Sequence, residues 1–392
     1  MGALPEDLLL EIAARADDAA TVVRCAATSK PLRRAILGPG FRRQLAGRLG
    51  LAAVLGLSFQ PDSASTATMV PGAARTTTTS RPPQPLSGIT VVDWGIPEWL
   101  EPVAARDGLL VLRRWDDTTG SSLSVRDTLT GGGVTSLPPM GIVVHGHEGF
   151  PCPPPALLAV GGGADRVFEL LAAYWDGASL MIRIFTSKTG AWGLARAAVP
   201  CPGGAQLVGR LSRANPAVVG RVAHWLCLGA DETPHGVLAV DADTADAAAV
   251  DLPPDYDSGM RHGCRSEAHV RLVAVDGRLG LVVAESLAVS VWTLAAASWS
   301  RQVVVGAPEL ERRAGLLEGD VSSLSPVEFL GFAEKSGAVV VLVTARLLVS
   351  LNLGTKAVAT LWRGESKLGP WVSQVFLHEA DLASVLQAMK SF

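Results

Sequence analysis

The chain has 392 residues, a length that suggests two or three domains. Its 34 basic and 37 acidic side chains leave a net charge of −3, which excludes a protein that coats polyanions and equally a strongly acidic one. Hydrophobic residues reach 48% against 18% charged, while 41 Gly and 25 Pro separate short apolar runs; global disorder is excluded, and strands joined by turns are indicated.

In chain order, residues 1–50 read as a small all-helical module. Apolar side chains recur at helical spacing in Leu8, Leu9, Ile12, Ala13 and Ala16, then again in Val22, Val23, Ala26 and Ala27. Asp17 or Asp18 can cap the second helix. Ser29 can cap a third with Pro31 in its first turn, and Gly38-Pro39 stops it before Phe41, Leu45 and Leu49 open a further stripe. Four short helices bury little alone, so the module either packs on a neighbour or offers an apolar face to a partner. Residues 51–87 follow as a flexible linker, since Ser58 to Ser87 contains TTTTSRPPQP and hardly a large apolar side chain.

From residue 88 to 392 a three-strand pattern recurs. Five copies stand out: DGLLVLRRW to GVTSLPP, RVFELLAAYW to AWGLARAAVP, RVAHWLCLGA to DAAAVDLPP, HVRLVAVDGRLGLVVAE to SWSRQVVV, and VEFLGFAEKSGAVVVLV to KAVATLW. Their inner turns fall near Thr130, Thr189, Thr244, Ala296 and Thr355. A period of about 50 residues with three or four strands per unit is a propeller pattern, because one blade cannot bury its faces without neighbours. A sixth unit can be assembled from GITVVDW, residues 142–160 and the terminal VSQVFLH. The expected fold is therefore a small all-α module followed by an all-β propeller-like domain of about six blades; a β-sandwich with accidental spacing is the alternative.

The opening LPEDLLLEIAAR with VVRCAATSKPLRRAI resembles the F-box motif over about residues 4–49. Residues 88–377 are similar, more loosely, to the β-propeller associated with F-boxes in plant and especially grass proteins, with phrases such as DGRLGLVV and VSVWTL. By this resemblance Leu4, Pro5, Leu8, Ile12, Val22, Val23 and Leu32 would face a Skp-type adaptor, and through it a cullin. The resemblance implies the substrate-recognition subunit of a Skp-cullin-F-box ubiquitin ligase, whose propeller binds an unknown target protein. Such a subunit works by proximity, raising the effective concentration of a target lysine near a charged ubiquitin carrier, and needs no catalytic residue of its own. On the residues alone, the same leucines can equally be the module's internal core. A propeller enzyme acting on glycans, with Asp231, Glu232 and Asp241 as its carboxylates, and a propeller scaffold without ubiquitin transfer are the two other readings.

No catalytic, cofactor-binding or metal site is expected. His262, Cys264 and His269 with Asp255 and Asp257, and the pair His145 and His147, match no common zinc spacing. The glycine runs 131–133 and 161–163 lack the order of a phosphate-binding loop. Arg33, Arg34, Arg42, Arg43 and Arg48 form a basic stretch with only Phe41 nearby, so a solvated face or an acidic protein surface is expected rather than nucleic acid. Ten of the 21 aromatic residues are Trp, including Trp175, Trp225, Trp292, Trp299 and Trp362, and their expected use is packing between blades. Cys25, Cys152, Cys201, Cys227 and Cys264 are odd in number and widely spaced, which fits a reducing compartment. Acidic residues Glu6, Asp7 and Glu11 stand where a signal peptide has its basic flank. No apolar run approaches the roughly 20 residues needed to span a bilayer. The expected setting is cytoplasmic or nuclear, with no membrane partner.

Overall fold

A run such as VAHWLCL is apolar on both faces, as a strand must be when sheets cover it from either side. The computed structural model describes residues 5–15, 22, 25–26, 29–38, 40–41, 52–61, 100–116, 120–127, 134–140, 153–160, 167–176, 179–198, 210–229, 231–258, 260, 266–313, 327–335, 337–343, 347–363 and 372–381. Within them the repeats form five antiparallel sheets, each a local meander.

The first sheet holds β2 (Glu101–Arg106), β3 (Leu109–Asp116), β4 (Gly120–Asp127) and β5 (Val134–Ser136). The second holds β6 (Ala156–Val160), β7 (Phe168–Asp176), β8 (Ser179–Thr186), β9 (Ala191–Trp192) and β10 (Arg196–Ala197). In the third are β11 (Arg210–Leu211), β12 (Ala217–Val219), β13 (Val222–Leu228), β14 (Pro234–Asp241) and β15 (Ala247–Val250). The fourth runs through β16 (Val270–Val275), β17 (Arg278–Ala284), β18 (Ala288–Ala295) and β19 (Ser298–Gly306), the fifth through β20 (Glu328–Ala333), β21 (Ala338–Val343), β22 (Leu347–Asn352) and β23 (Val358–Arg363). The innermost strands β2, β6, β12, β16 and β20 each touch the next, and β24 (Val372–Asp381) stands between β20 and β2. β24 pairs antiparallel with β1 (Ala52–Pro61), from Ala52 opposite Asp381 to Pro61 opposite Val372. The ring therefore has five full blades rather than the six expected, and a two-stranded seam made from widely separated stretches of chain fills the remaining position.

The seam corrects two further expectations. Ala52–Pro61 is a ten-residue strand, although it falls inside the stretch 51–87 read as linker; its AAVLGLSFQP carries the apolar content that the Ser/Thr-rich part lacks. Of residues 142–160, Ala156–Val160 is the inner strand of the second blade rather than part of a separate unit, and residues 142–152 lie outside the described residues. GITVVDW and residues 62–87 lie outside the described residues.

The repeats share their turns as well as their strands. Asp241 Oδ1 accepts hydrogen bonds from the backbone N–H groups of Asp243 and Thr244 at 2.8 and 3.0 Å. Asn352 Oδ1 does the same for Gly354 and Thr355 at 3.1 and 2.7 Å. Each side chain mimics a backbone turn and fixes the bend between third and fourth strands. Gly190, Ala245, Ala297 and Lys356 take positive φ at the corresponding place in four blades. Bulges fall after Pro102, Leu157 and Phe329 in three inner strands, adding twist where strands converge on the axis.

The core lies between adjacent blades. One buried cluster joins Val111 and Leu123 to Leu170 and Phe185, bridging blades one and two. A second joins Leu171 and Ile182 to Trp225 and Val240, a third Leu226 and Leu228 to Leu272 and Leu281, and a fourth Val282 and Val291 to Val341 and Val349. Phe376 of β24 packs on Leu110 and Leu112, so the seam is sealed to blade one. Tryptophans tie neighbouring blades as expected: the indole N–H of Trp192 donates to the Pro138 carbonyl at 2.8 Å, Trp225 to Pro154 at 3.0 Å and Trp299 to Asp251 at 3.0 Å. The side chain of Trp362 lies outside the described residues.

His224 on β13 is buried, and its Nδ1–H donates to the Ala217 carbonyl at 3.2 Å. Burial holds its pKa below the ordinary histidine value of 6.5, opposed by the backbone bonds to Ala217 and Val222. The folded state thus keeps the ring neutral while the unfolded chain takes up a proton near pH 6.5, so stability present at pH 7 is lost as the pH falls below that value. Melting temperatures measured from pH 7.5 down to 5.5 will show this decline, and it will be smaller in His224→Gln.

In the helical module, α1 (Glu6–Arg15) and α2 (Lys30–Leu37) pack around Ala13, Val22, Ala26, Leu32 and Ile36. Ser29 caps α2 as expected, its Oγ accepting from Leu32 N at 3.2 Å, with Pro31 in the first turn. Arg33 leaves the expected basic face: it is buried and its Nε donates to the Ala26 carbonyl at 3.3 Å. Arg34 is exposed, and Arg42, Arg43 and Arg48 lie outside the described residues.

Candidate functional site

Among the described residues, every blade contributes to the axis of the ring. Side chains and backbone from β2, β6, β12, β16, β20 and β24 and their adjoining turns line a cavity of about 90 Å³ there. The tight hairpins help to build its rim. Asp107 and Gly108 both take positive φ between β2 and β3, the geometry of the two-residue turn that matches strand twist, and this places Asp107 at the cavity.

Charged side chains at the rim tie the blades together. Arg106 Nη1 donates to the carbonyls of Leu157 and Leu158, both at 2.7 Å, and Arg106 Nη2 to Glu334 Oε1 at 2.8 Å. One guanidinium thus links blades one, two and five. Lys335 pairs with Asp107 across the same gap, and the backbone N–H of Lys335 donates to Glu379 Oε2 on β24 at 2.9 Å. Burial raises the pKa of Glu334, with the Arg106 charge opposing that rise.

Arg271 on β16 also lines the cavity and is 5% exposed. Among the described residues no hydrogen bond or ion pair engages it. Burial pulls its pKa down to about 10, with the Glu267 charge the opposing influence. Glu267 Oε2 is itself buried without a hydrogen-bond partner, as is Asn215 Oδ1, and Asn215 borders the same cavity. Sequence reading missed all of these groups. The available signal was a basic residue inside an apolar inner strand, Arg271 in HVRLVAV.

The expected adaptor-binding residues separate into two sets. Leu8 is 45% exposed and Ile12 51%; they stand one turn apart on the outer side of α1, and Pro5 before it is exposed too. Val22 and Leu32, at 0% and 1%, are instead buried in the module's own core. Leu4 and Val23 lie outside the described residues.

Other candidates resolve into structural roles. Asp231 accepts from the N–H and hydroxyl of Thr233 in an exposed turn, neighbouring Glu232 is left-handed there, and Asp241 is the turn residue described above; the three do not converge on the axis. His269 is buried and bonded through Nδ1–H to the Val327 carbonyl at 2.9 Å. Asp255 takes positive φ in a turn. His145, His147, His262, Cys264 and the two glycine runs lie outside the described residues. Among the described residues no three His, Cys, Asp or Glu side chains gather as a metal site, and no helix is long and apolar enough to cross a membrane. Of the cysteines, Cys25 is half-buried, and the Cys227 thiol is pushed up to about 12 by burial.

Five sheets in a ring around an axial cavity define a β-propeller protein. The chain belongs to the family described as Domain of unknown function (DUF7595), which matches residues 62–392. That match takes in the five blades and β24 and leaves out the helical module and β1. No curated protein matches the chain. A structural-genomics protein of unknown function from Bacteroides thetaiotaomicron is 12% identical with a TM-score of 0.37, over 67% of this chain and 57% of that one. A puromycin-hydrolyzing peptidase from Mycobacterium tuberculosis is 11% identical with a TM-score of 0.36, over 68% and 39%. For a post-proline cleaving enzyme from Rickettsia typhi the values are 11%, 0.32, 68% and 40%. The chain spans less than two thirds of each of these proteins, and likeness at this level carries no argument about its activity.

Proposed function

We propose that the chain is a receptor subunit of a Skp-cullin-F-box ubiquitin ligase, docking through its helical module to a Skp-type adaptor and holding a target protein on the propeller. The observation that carries this reading is the outward pair Leu8 and Ile12 on α1. A module this small has already used Ala13, Val22, Ala26, Leu32 and Ile36 for its core, and two large aliphatic side chains one helical turn apart remain for a partner's groove. The chain supplies placement, and the bond chemistry belongs to other subunits.

Leu8→Asp with Ile12→Asp tests this. Both positions are solvent-facing, so folding should change by no more than about 0.5 kcal/mol each, while a charge placed in a desolvated contact should remove most of the binding. Co-purification of an adaptor and a cullin with the parent protein, and its loss with the double variant at an unchanged melting temperature, is the expected result. Equal recovery from both would overturn the docking face. Absence of an adaptor from the parent preparation would favour a scaffold without ubiquitin transfer.

A further inference from the structure

We infer that the axial cavity is a binding site for a small carboxylate bearing a hydrogen-bond donor on the neighbouring atom, held by Arg271 and Asn215. Burying a guanidinium without hydrogen bonds is costly, and proteins keep such a group where something else completes it. Arg271 is that group: it is 5% exposed, it borders the cavity, and among the described residues no hydrogen bond or ion pair engages it. Its planar fork of N–H donors matches a carboxylate in two parallel bonds. Asn215 Oδ1, buried beside the same space, lacks a donor, so a hydroxyl or amide N–H next to the carboxylate would satisfy it.

Charge and size narrow the class. Three carboxylates, Asp107, Glu334 and Glu379, also border the cavity, against the cations Arg106, Arg271 and Lys335. Arg106 is taken up by Glu334 and Lys335 by Asp107, which leaves Arg271, in the field of Glu267, to receive a ligand, and a second negative charge on that ligand would find no further cation at the cavity. A singly charged carboxylate fits this balance better than a phosphate dianion. About 90 Å³ holds a group of a few heavy atoms. Two sources share the chemistry: a free 2-hydroxy acid and the terminal carboxylate of a peptide, whose amide N–H stands where the hydroxyl would.

The test uses the full chain and four probes by isothermal titration: glycolate, N-acetylglycine, the neutral glycolamide, and inorganic phosphate. Binding of glycolate or N-acetylglycine, with glycolamide at least tenfold weaker, supports the site. The tighter of the two acids identifies the source as a free hydroxy acid or a chain end. Arg271→Met should weaken the preferred acid by about tenfold to a hundredfold, as expected for lost bonds to a charged group. Asn215→Leu keeps Arg271 and should weaken the preferred acid by about tenfold, so the inference stays testable if the first variant does not fold. Absence of binding by both acids, phosphate binding tighter than either, or unchanged affinity in Asn215→Leu would overturn it. The outcome is independent of the adaptor experiment, since neither Leu8 nor Ile12 borders the cavity.

Discussion

Gly331→Ala will destabilise the protein by about 3 kcal/mol or more, at the upper end of the range for overpacking. A Cβ on Gly331 would overlap the Val375 carbonyl oxygen and stand 3.1 Å from the carbon of the same group. Those are backbone atoms of β24, so no side-chain rotamer relieves the clash, and the seam must move away from blade five. Phe376 would then lose part of its contact with Leu110 and Leu112 on the far side of the seam. Gly236→Ala is the control, because a Cβ there meets only the Val250 oxygen at 3.8 Å. Its effect should stay within about 1 kcal/mol, helped by the smaller chain entropy of alanine. Urea unfolding measures both, and a change below about 0.5 kcal/mol for Gly331→Ala would show that β20 and β24 do not approach so closely.

Trp225→Ala should cost about 3 to 5 kcal/mol. The indole is 1% exposed, packs between blades two and three beside Leu171, Ile182 and Val240, and donates its N–H to the Pro154 carbonyl at 3.0 Å. Two losses are combined in that figure, and Trp225→Phe separates them. Phenylalanine retains most of the apolar volume but leaves the buried carbonyl of Pro154 without its donor, a loss of about 1 to 3 kcal/mol. Denaturation of the two variants at constant slope gives each part. If Phe and Ala proved equally damaging, the hydrogen bond rather than the packing would hold this blade junction.

Much of the ring was legible because its middle strands are long and apolar and its turns repeat. Asp241 and Asn352 bend the chain in the same way, which is why the spacing of Thr244 and Thr355 carried information. The inner strands β6 and β12 were not legible: ALLAV and AVV are too short to show alternation, and proline precedes each in the sequence. β1 was missed for another reason. Its partner is β24 at the far end of the chain, and no local pattern announces a pairing of that span. In the helical module, periodicity revealed an apolar stripe without revealing which members point inward. Ala13 at 0% and Ile12 at 51% are adjacent in sequence, and only the placement of α2 decides between them. The axial groups were least legible of all, since Arg106, Asn215, Arg271 and Glu379 share a cavity only after the ring has closed.

The seam has a consequence for synthesis on the ribosome. Each blade is a meander of neighbours in sequence and can form as soon as its own residues have emerged, at about 5 to 20 residues per second. β1 is made before all five blades, yet its partner is made after them. For most of translation AAVLGLSFQP is therefore an apolar strand with an unpaired edge, a template for pairing with other chains. Any product terminated before Val372 would keep that edge open, however complete its blades. Closure thus serves as a length check: only a polypeptide translated through β24 can hide its first strand.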